Sequence, residues 1–287
     1  MKMRLISLLK SIAERFPKIA LTYRLVRDGW QAFDKPEETP LGFKFVGNRA
    51  MRQGAFEPEE TEIVLRLLQS VDVFLNAGAN IGYYCCIALS RNKPVVAFEP
   101  MALNLQCLLV NVKANNWESM LEAFPLALSN KVGIVEMYGS GTGASLVKGW
   151  AGTSEQNATL VPTSTLDIVL GARFQGRRCL ILVDIEGAEK QMLEGASTFL
   201  CFEPKPIWMV EISVSEHQPQ GTKVNANLLE TFQIFWARGY EAWTANKQCR
   251  QVHPEELEAI VTSGNDTLHT HNFLFMEKGS QADLLGA

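Results

Sequence analysis

Apolar runs of strand length alternate with stretches of helical spacing from residue 59 to residue 276. Residues 59–69 open on acidic side chains, which the positive amino end of a helix favours, and predict a helix. A strand is expected at 71–75, a helix at 81–90 and a second strand at Val95-Val96-Ala97-Phe98-Glu99. Residues 102–116 place Leu105, Leu108, Leu109 and Val112 at helical spacing, a core-facing stripe. Residues 121–129 read as a strand entering a turn and 134–138 as a short alternating strand. A flexible glycine-rich loop, a candidate flap, is expected at 139–146, and a helix at 163–170 with Ser164 and Thr165 as candidate caps. Cys179-Leu180-Ile181-Leu182-Val183 is the fully apolar run a central parallel strand needs, and 206–212 is a second. A helix at 228–238 stopped by Gly239, a strand at 240–244 and a closing strand at 272–276 finish the pattern. Strands separated by helices imply an α/β, Rossmann-like fold with a mostly parallel seven-stranded sheet and helices on both faces.

The domain boundaries follow from where the alternation begins and ends. Residues 1–54 form a small N-terminal helical attachment with a break from Pro36 to Pro40 and a strand-like 42–46; 55–278 is the main domain and 279–287 a flexible tail. The basic start up to Arg27 is interrupted by Lys10, Glu14, Arg15 and Lys18, so it reads as a helix packed on the domain and not as a secretory signal. No apolar run reaches the roughly 18 residues that span a bilayer. At 287 residues with 47% hydrophobic and 20% charged side chains, the chain can bury a substantial core. The formal net charge of −4 supplies no basic field, so a nucleic-acid partner is disfavoured. Six cysteines without a Cys-x-x-Cys pair fit reduced thiols in the cytoplasm.

The chemistry concentrates around Asn76-Ala77-Gly78-Ala79-Asn80-Ile81-Gly82, a Gly-x-x-x-Gly turn between the first strand and its helix. Gly78 can take backbone angles closed to other residues, and Gly82 removes a side chain at the helix start. Glu99, at the end of the next strand, can accept two hydrogen bonds from vicinal ribose hydroxyls. A pyrophosphate turn would need glycine where Asn80 stands, so an adenosine ligand without phosphate, S-adenosylmethionine, suits the pattern better than a dinucleotide. Glu57 either belongs to an acidic helix start or meets the ammonium or sulfonium of that ligand. Of Tyr83 and Tyr84, one belongs to the core and the other faces the methionine tail, with Tyr83 taken as the contact. Asn104 either helps hold the ribose or is a solvated position, and Ser129 lies at the turn flanking the adenine. Asp184 ends the central strand and should face the reaction centre. Glu189 reads as a surface charge at the next helix start, and Glu186 either as another or as part of the site. Glu211, a carboxylate inside an apolar run, needs a partner, a metal or a function. His217 follows that strand, in reach of the cleft or simply on the surface.

Together these segments, with Gly54-Ala55-Phe56-Glu57-Pro58, Ala97-Phe98-Glu99-Pro100, Ala127-Leu128-Ser129, Val183-Asp184-Ile185-Glu186-Gly187-Ala188-Glu189, Val210-Glu211-Ile212 and Asn272-Phe273-Leu274-Phe275, resemble the FkbM-type methyltransferases over residues 42–276. The resemblance implies the class I methyltransferase fold and methyl transfer from S-adenosylmethionine to a hydroxyl of a sugar, glycan or secondary metabolite. The family pattern commonly carries aspartate where this chain has Asn76. The expected cofactor residues are Glu57, Asn76, Gly78, Asn80, Gly82, Tyr83, Glu99, Asn104 and Ser129; Asp184, Glu211 and His217 surround the acceptor, with Asp184 as base. A divalent cation shared by Asp184 and Glu211 is the less favoured arrangement. The competing readings are a cofactor-binding protein without catalysis, a nicotinamide-dependent dehydrogenase, which lacks its pyrophosphate turn here, and a base methylase, which lacks its Pro-Pro-aromatic segment.

Overall fold

A computed structural model of the protein describes residues 35–139, 141–153 and 158–280. The helices expected over 1–34 and the tail from 281 lie outside the described residues. A hairpin of β1 (Glu37–Glu38) and β2 (Lys44–Phe45) comes first, then α1 (Arg49–Arg52), capped by Asn48, whose Oδ1 accepts from Met51 N. Residues 35–54 are thus a hairpin and one turn of helix, with β2 inside the strand-like 42–46.

The main domain follows as α2 (Pro58–Leu67), β3 (Val73–Ala77), α3 (Tyr83–Ser90), β4 (Val95–Phe98), α4 (Ala102–Lys113) and β5 (Leu121–Phe124). β6 (Ala127–Leu128), β7 (Gly133–Tyr138) and β8 (Ala158–Ser164) then form a separate three-stranded sheet in the order β6-β8-β7. α5 (Leu166–Leu170), β9 (Cys179–Val183), α6 (Glu189–Glu194), β10 (Ile207–Glu211), α7 (Leu228–Trp236), β11 (Tyr240–Thr244), β12 (Gln251–Val252), α8 (Pro254–Ser263) and β13 (Asn272–Glu277) complete the chain.

The large sheet has the order β12-β11-β13-β10-β9-β3-β4-β5. β5, β4, β3, β9 and β10 run parallel, and β13 inserts antiparallel between β10 and β11. It has eight strands where seven were expected, the addition being the two-residue edge strand β12. β3, β4 and β9 are buried at every position, as apolar runs covered on both faces must be. Leu75, Ile181, Trp208 and Phe275 pack under α5, α6, α7 and α8 on one face. Phe74, Leu180, Met209 and Leu274 pack under α2, α3 and α4 on the other.

Two boundaries differ from the sequence pattern for reasons of pairing. β3 begins and ends two residues later than expected because Val73 pairs with Cys179 and Ala77 with Val183, which draws Asn76 into the sheet. Residues 158–164 form a strand because β7 pairs with them antiparallel from Gly133↔Thr163 to Tyr138↔Ala158. The helix begins only after Thr165, whose Oγ1 accepts from Ile168 N at 3.0 Å, the capping role expected of it.

Candidate active site

The crossover from β3 to α3 commits its own backbone. Gly78 N and Ala79 N both donate to Phe98 O at 3.0 Å. Asn80 N donates to Glu99 Oε2 at 2.7 Å, Ile81 N to Asn80 Oδ1 at 2.8 Å, and Gly82 N to Ala79 O at 2.9 Å. Five successive amides are satisfied inside the protein, so this turn offers no cradle for a pyrophosphate. Gly78 has φ +79°, and a Cβ there would stand 1.7 Å from Asp184 O; the glycine lets the ends of β3 and β9 close on each other. Gly82, at φ +87°, faces Leu108 of α4, whose Cγ would meet an added Cβ at 2.8 Å. Its glycine is required by helix packing.

Glu99 lies at the end of β4, 4% exposed. Its Oε1 accepts from Met101 N at 2.8 Å and Asn104 Nδ2 at 3.3 Å, while Oε2 takes Asn80 N. Burial pushes its carboxyl up to about 7 against the pull of these donors. A carboxylate has about four acceptor sites, so three donors leave about one for a ligand hydroxyl, not the vicinal pair expected. Asn104 is buried and also donates to Gly141 O at 3.2 Å, so it is a structural link and not a solvated position.

Beside Glu99 opens a cleft of about 540 Å³, counting its mouth. Gly78, Asn80, Asp184 and Glu186 line one side; Phe98, Met101, Leu126, Leu128 and Met137 make an apolar slot at the other. Ser129 is buried beyond this slot, its amide donating to Ser164 O, and the turn reaches the cleft through Leu126, Ala127 and Leu128 instead.

Val183 pairs with Val210, so Asp184 and Glu211 leave adjacent strands at the same level. Burial raises both carboxyls well above the ordinary range; Glu186 adds most to Asp184, and Asp184 most to Glu211. Glu57, Glu189 and Glu99 also bear on Asp184, so its leading charges are all negative. Such a pair retains a proton that separated carboxylates would release. Among the described residues no three His, Cys, Asp or Glu side chains are placed to hold a metal ion.

Glu57 stands at the helix start, the first of the two roles raised for it. It precedes α2 with φ 42°, and its Oε2 accepts from Tyr84 Oη at 2.7 Å; burial raises its carboxyl and the phenol partly offsets this. Tyr83 is the core tyrosine, 3% exposed and edge-on to Phe45 and Phe56, so the tyrosine that reaches the acidic group is Tyr84. Asn76, 2% exposed, points into the core: its Oδ1 accepts from Cys85 Sγ at 3.4 Å and its Nδ2 donates to Leu182 O at 3.5 Å. Glu189 is buried, not a surface charge. The left-handed turn at Glu186 and Gly187 folds back so that Gly187 N donates to its Oε1 at 2.8 Å, and burial lifts its carboxyl to about 7.

The glycine-rich loop is anchored rather than free. Ser145 Oγ donates to Glu186 O, and Trp150 Nε1 donates to Glu186 Oε2 at 2.7 Å. Trp150 is 3% exposed, and its ring lies where a Cβ on Gly187 would come within 2.6 Å. Its other neighbour is His217, edge-on at 6.2 Å between ring centroids, while Ala151 N donates to His217 O at 2.7 Å. His217 itself is exposed, on the outside of Trp150. No periodicity marks Trp150; its one sequence signal is a large aromatic between Gly149 and Gly152.

Comparison with known proteins places this geometry. No curated protein matches the sequence. Among solved structures the chain is similar to methyltransferase FkbM from Methylobacillus flagellatus KT, at 17% identity and a TM-score of 0.44, over 88% of this chain and 59% of that one. It is also similar to precorrin-6y C5,15-methyltransferase from Geobacter metallireducens GS-15, at 10% identity and a TM-score of 0.40, over 80% of this chain and 90% of that one. The chain thus spans about 59% of the first of these relatives. The sequence matches the methyltransferase FkbM domain over residues 76–242, from the middle of β3 into β11. With that stretch making up more than half of its 287 residues, the chain belongs to the FkbM methyltransferase family.

Proposed function

We propose that this protein is an S-adenosylmethionine-dependent O-methyltransferase acting on a hydroxyl of a sugar, glycan or secondary metabolite. The observation that carries this reading is the crowd of carboxylates, Asp184, Glu211, Glu57, Glu186 and Glu189, at the open ends of β9 and β10 beside an apolar slot. Buried like charges of this kind favour a cationic ligand, and one that also carries a flat apolar end fits the slot. The committed amides of residues 78–82 argue for a donor without phosphate.

When bound, the donor supplies an electrophilic methyl on a sulfonium. Glu99 would take one ribose hydroxyl, Gly78 and Asn80 would border the sugar, and the apolar slot would hold the adenine. Glu57, braced by Tyr84, would face the methionine ammonium. The Asp184 and Glu211 pair would receive the acceptor proton, since a carboxyl raised by burial is a better match to an alcohol than an ordinary one. The acceptor is a small molecule or glycan rather than nucleic acid, in keeping with the net charge of −4, and the reduced, mostly buried thiols suit the cytoplasm.

Calorimetry with S-adenosylhomocysteine and with NAD, followed by a labelled-methyl assay on a panel of glycosides, tests this reading. Binding of the first and not the second, with label transferred to a hydroxyl, is the expected result. Binding without transfer to any acceptor would favour a cofactor-binding protein of the same fold. Preference for NAD would reject the donor assignment.

A further inference from the structure

The segment from Gly141 to Gly152 borders the cleft through Gly141, Ala144 and Leu146. At one end Gly141 O is held by Asn104, which also holds Glu99. Ala144 and Leu146 in its middle line the same cleft as Gly78 and Asp184. Its far end is fixed on the turn after β9, where Ser145 and Trp150 both bond Glu186 and the Trp150 ring rests on Gly187. This strap therefore ties Asn104, beside Glu99, to the turn after β9, and its far fastening is the pair of bonds from Ser145 and Trp150 to Glu186. A donor lying between Glu99 and Asp184 would lie against that strap.

We propose that Trp150 and Glu186 are positioning residues that latch this strap over the bound donor and set its residence time. The proposal rests on the donor reading above, and neither residue is assigned contact with the methyl group. Glu186 is suited to the task because its left-handed backbone, φ 56°, turns its carboxylate outward to the indole while its carbonyl receives Ser145. Trp150 is suited because its ring fills the space that Gly187, at φ +95°, leaves open. A charge-assisted bond in a partly buried site is worth more than a neutral one, so its loss weakens the closed state selectively.

The test is stopped-flow and surface-plasmon measurement of S-adenosylhomocysteine association and release. Trp150→Phe keeps an aromatic ring in the strap and removes the indole N–H; its release rate should rise about tenfold, with the association rate unchanged or faster. Glu186→Gln keeps an acceptor for the indole but not the charge, and should release a few-fold faster. The double variant should be no worse than Trp150→Phe, because both changes break the same bond. A change that merely loosened packing would lower Tm and leave release unaltered. Release at the parent rate from a folded Trp150→Phe overturns the latch while the donor reading stands; should that variant fail to fold, an unaltered release rate in Glu186→Gln overturns it. If the parent protein ignores S-adenosylhomocysteine, the donor reading fails and the latch with it.

Discussion

Replacing Gly78 with alanine strikes the close approach between the ends of the parallel strands β3 and β9. The new Cβ would lie 1.7 Å from Asp184 O, and to reach 3.0 Å that backbone oxygen must retreat by about 1.3 Å. Such a shift strains or breaks the bond from Asp184 N to Ala77 O, now 3.0 Å, for about 1 kcal/mol. The left-handed backbone, φ +79°, costs an alanine a further 1–2 kcal/mol or so, and displacing the end of a buried strand adds a packing cost. The expected loss is about 3–5 kcal/mol, in the range reserved for backbone and core damage. Urea denaturation of Gly78→Ala beside Gly82→Ala measures it. Gly82→Ala meets Leu108 at 2.8 Å from its Cγ and 3.4 Å from its Cα, a milder approach than 1.7 Å to a backbone oxygen, so it should lose less. Because Asp184 is carried along, the Gly78 variant should also bind S-adenosylhomocysteine poorly. A Gly78→Ala protein within about 1 kcal/mol of its parent and with unaltered affinity would refute the close approach as the reason for the glycine.

Three other outcomes are expected. Asp184→Asn should cut turnover by about 100-fold or more while changing the affinity for S-adenosylhomocysteine only a few-fold; an active variant would remove Asp184 from the proton-accepting pair. S-adenosylmethionine should bind more tightly, relative to uncharged-sulfur S-adenosylhomocysteine, as pH rises through the elevated carboxyl range to about 7, because the cation favours ionised groups that acid protonates. Parallel pH curves for the two ligands in calorimetry would contradict that. Asn76→Asp, which restores the family's common residue, should destabilise the protein by about 2 kcal/mol near pH 8, since it aims a buried charge at Leu182 O. Its raised carboxyl pKa makes the loss disappear as acid protonates it, so urea midpoints should converge with the parent toward pH 5; a gap that widens in acid would refute the assigned contact.

The parallel core was legible because β3, β4, β9 and β10 are apolar at nearly every position, a pattern only a doubly covered sheet requires. Glu99, Asp184 and Glu211 were legible for a related reason: a carboxylate at the end of such a run has to leave the core at the sheet's carboxyl edge. β8 was missed because its strand character comes from pairing with β7, a non-local partner that local pattern does not report. α8 was passed over although Pro254 in its first turn, Glu255, Glu256 and the left-handed Gly264 after it are all local signals. Asn76 and Ser129 were assigned by position along a motif, whereas side-chain direction decided their surroundings. Trp150 and the turn at Glu186 depend on a loop crossing 36 positions of sequence, which no local rule reaches.

The self-contained bonding of residues 78–82 also limits how this scaffold could be retooled. Introducing glycine at position 80 would give Gly-Ala-Gly-Ile-Gly, one residue short of a hydride-carrier fingerprint, and the amides at 78 and 79 would remain turned toward Phe98 O. Conversion to a redox enzyme would demand repositioning the whole crossover relative to β4, so neighbouring protein chemistries on this fold are separated here by backbone geometry rather than by a single codon.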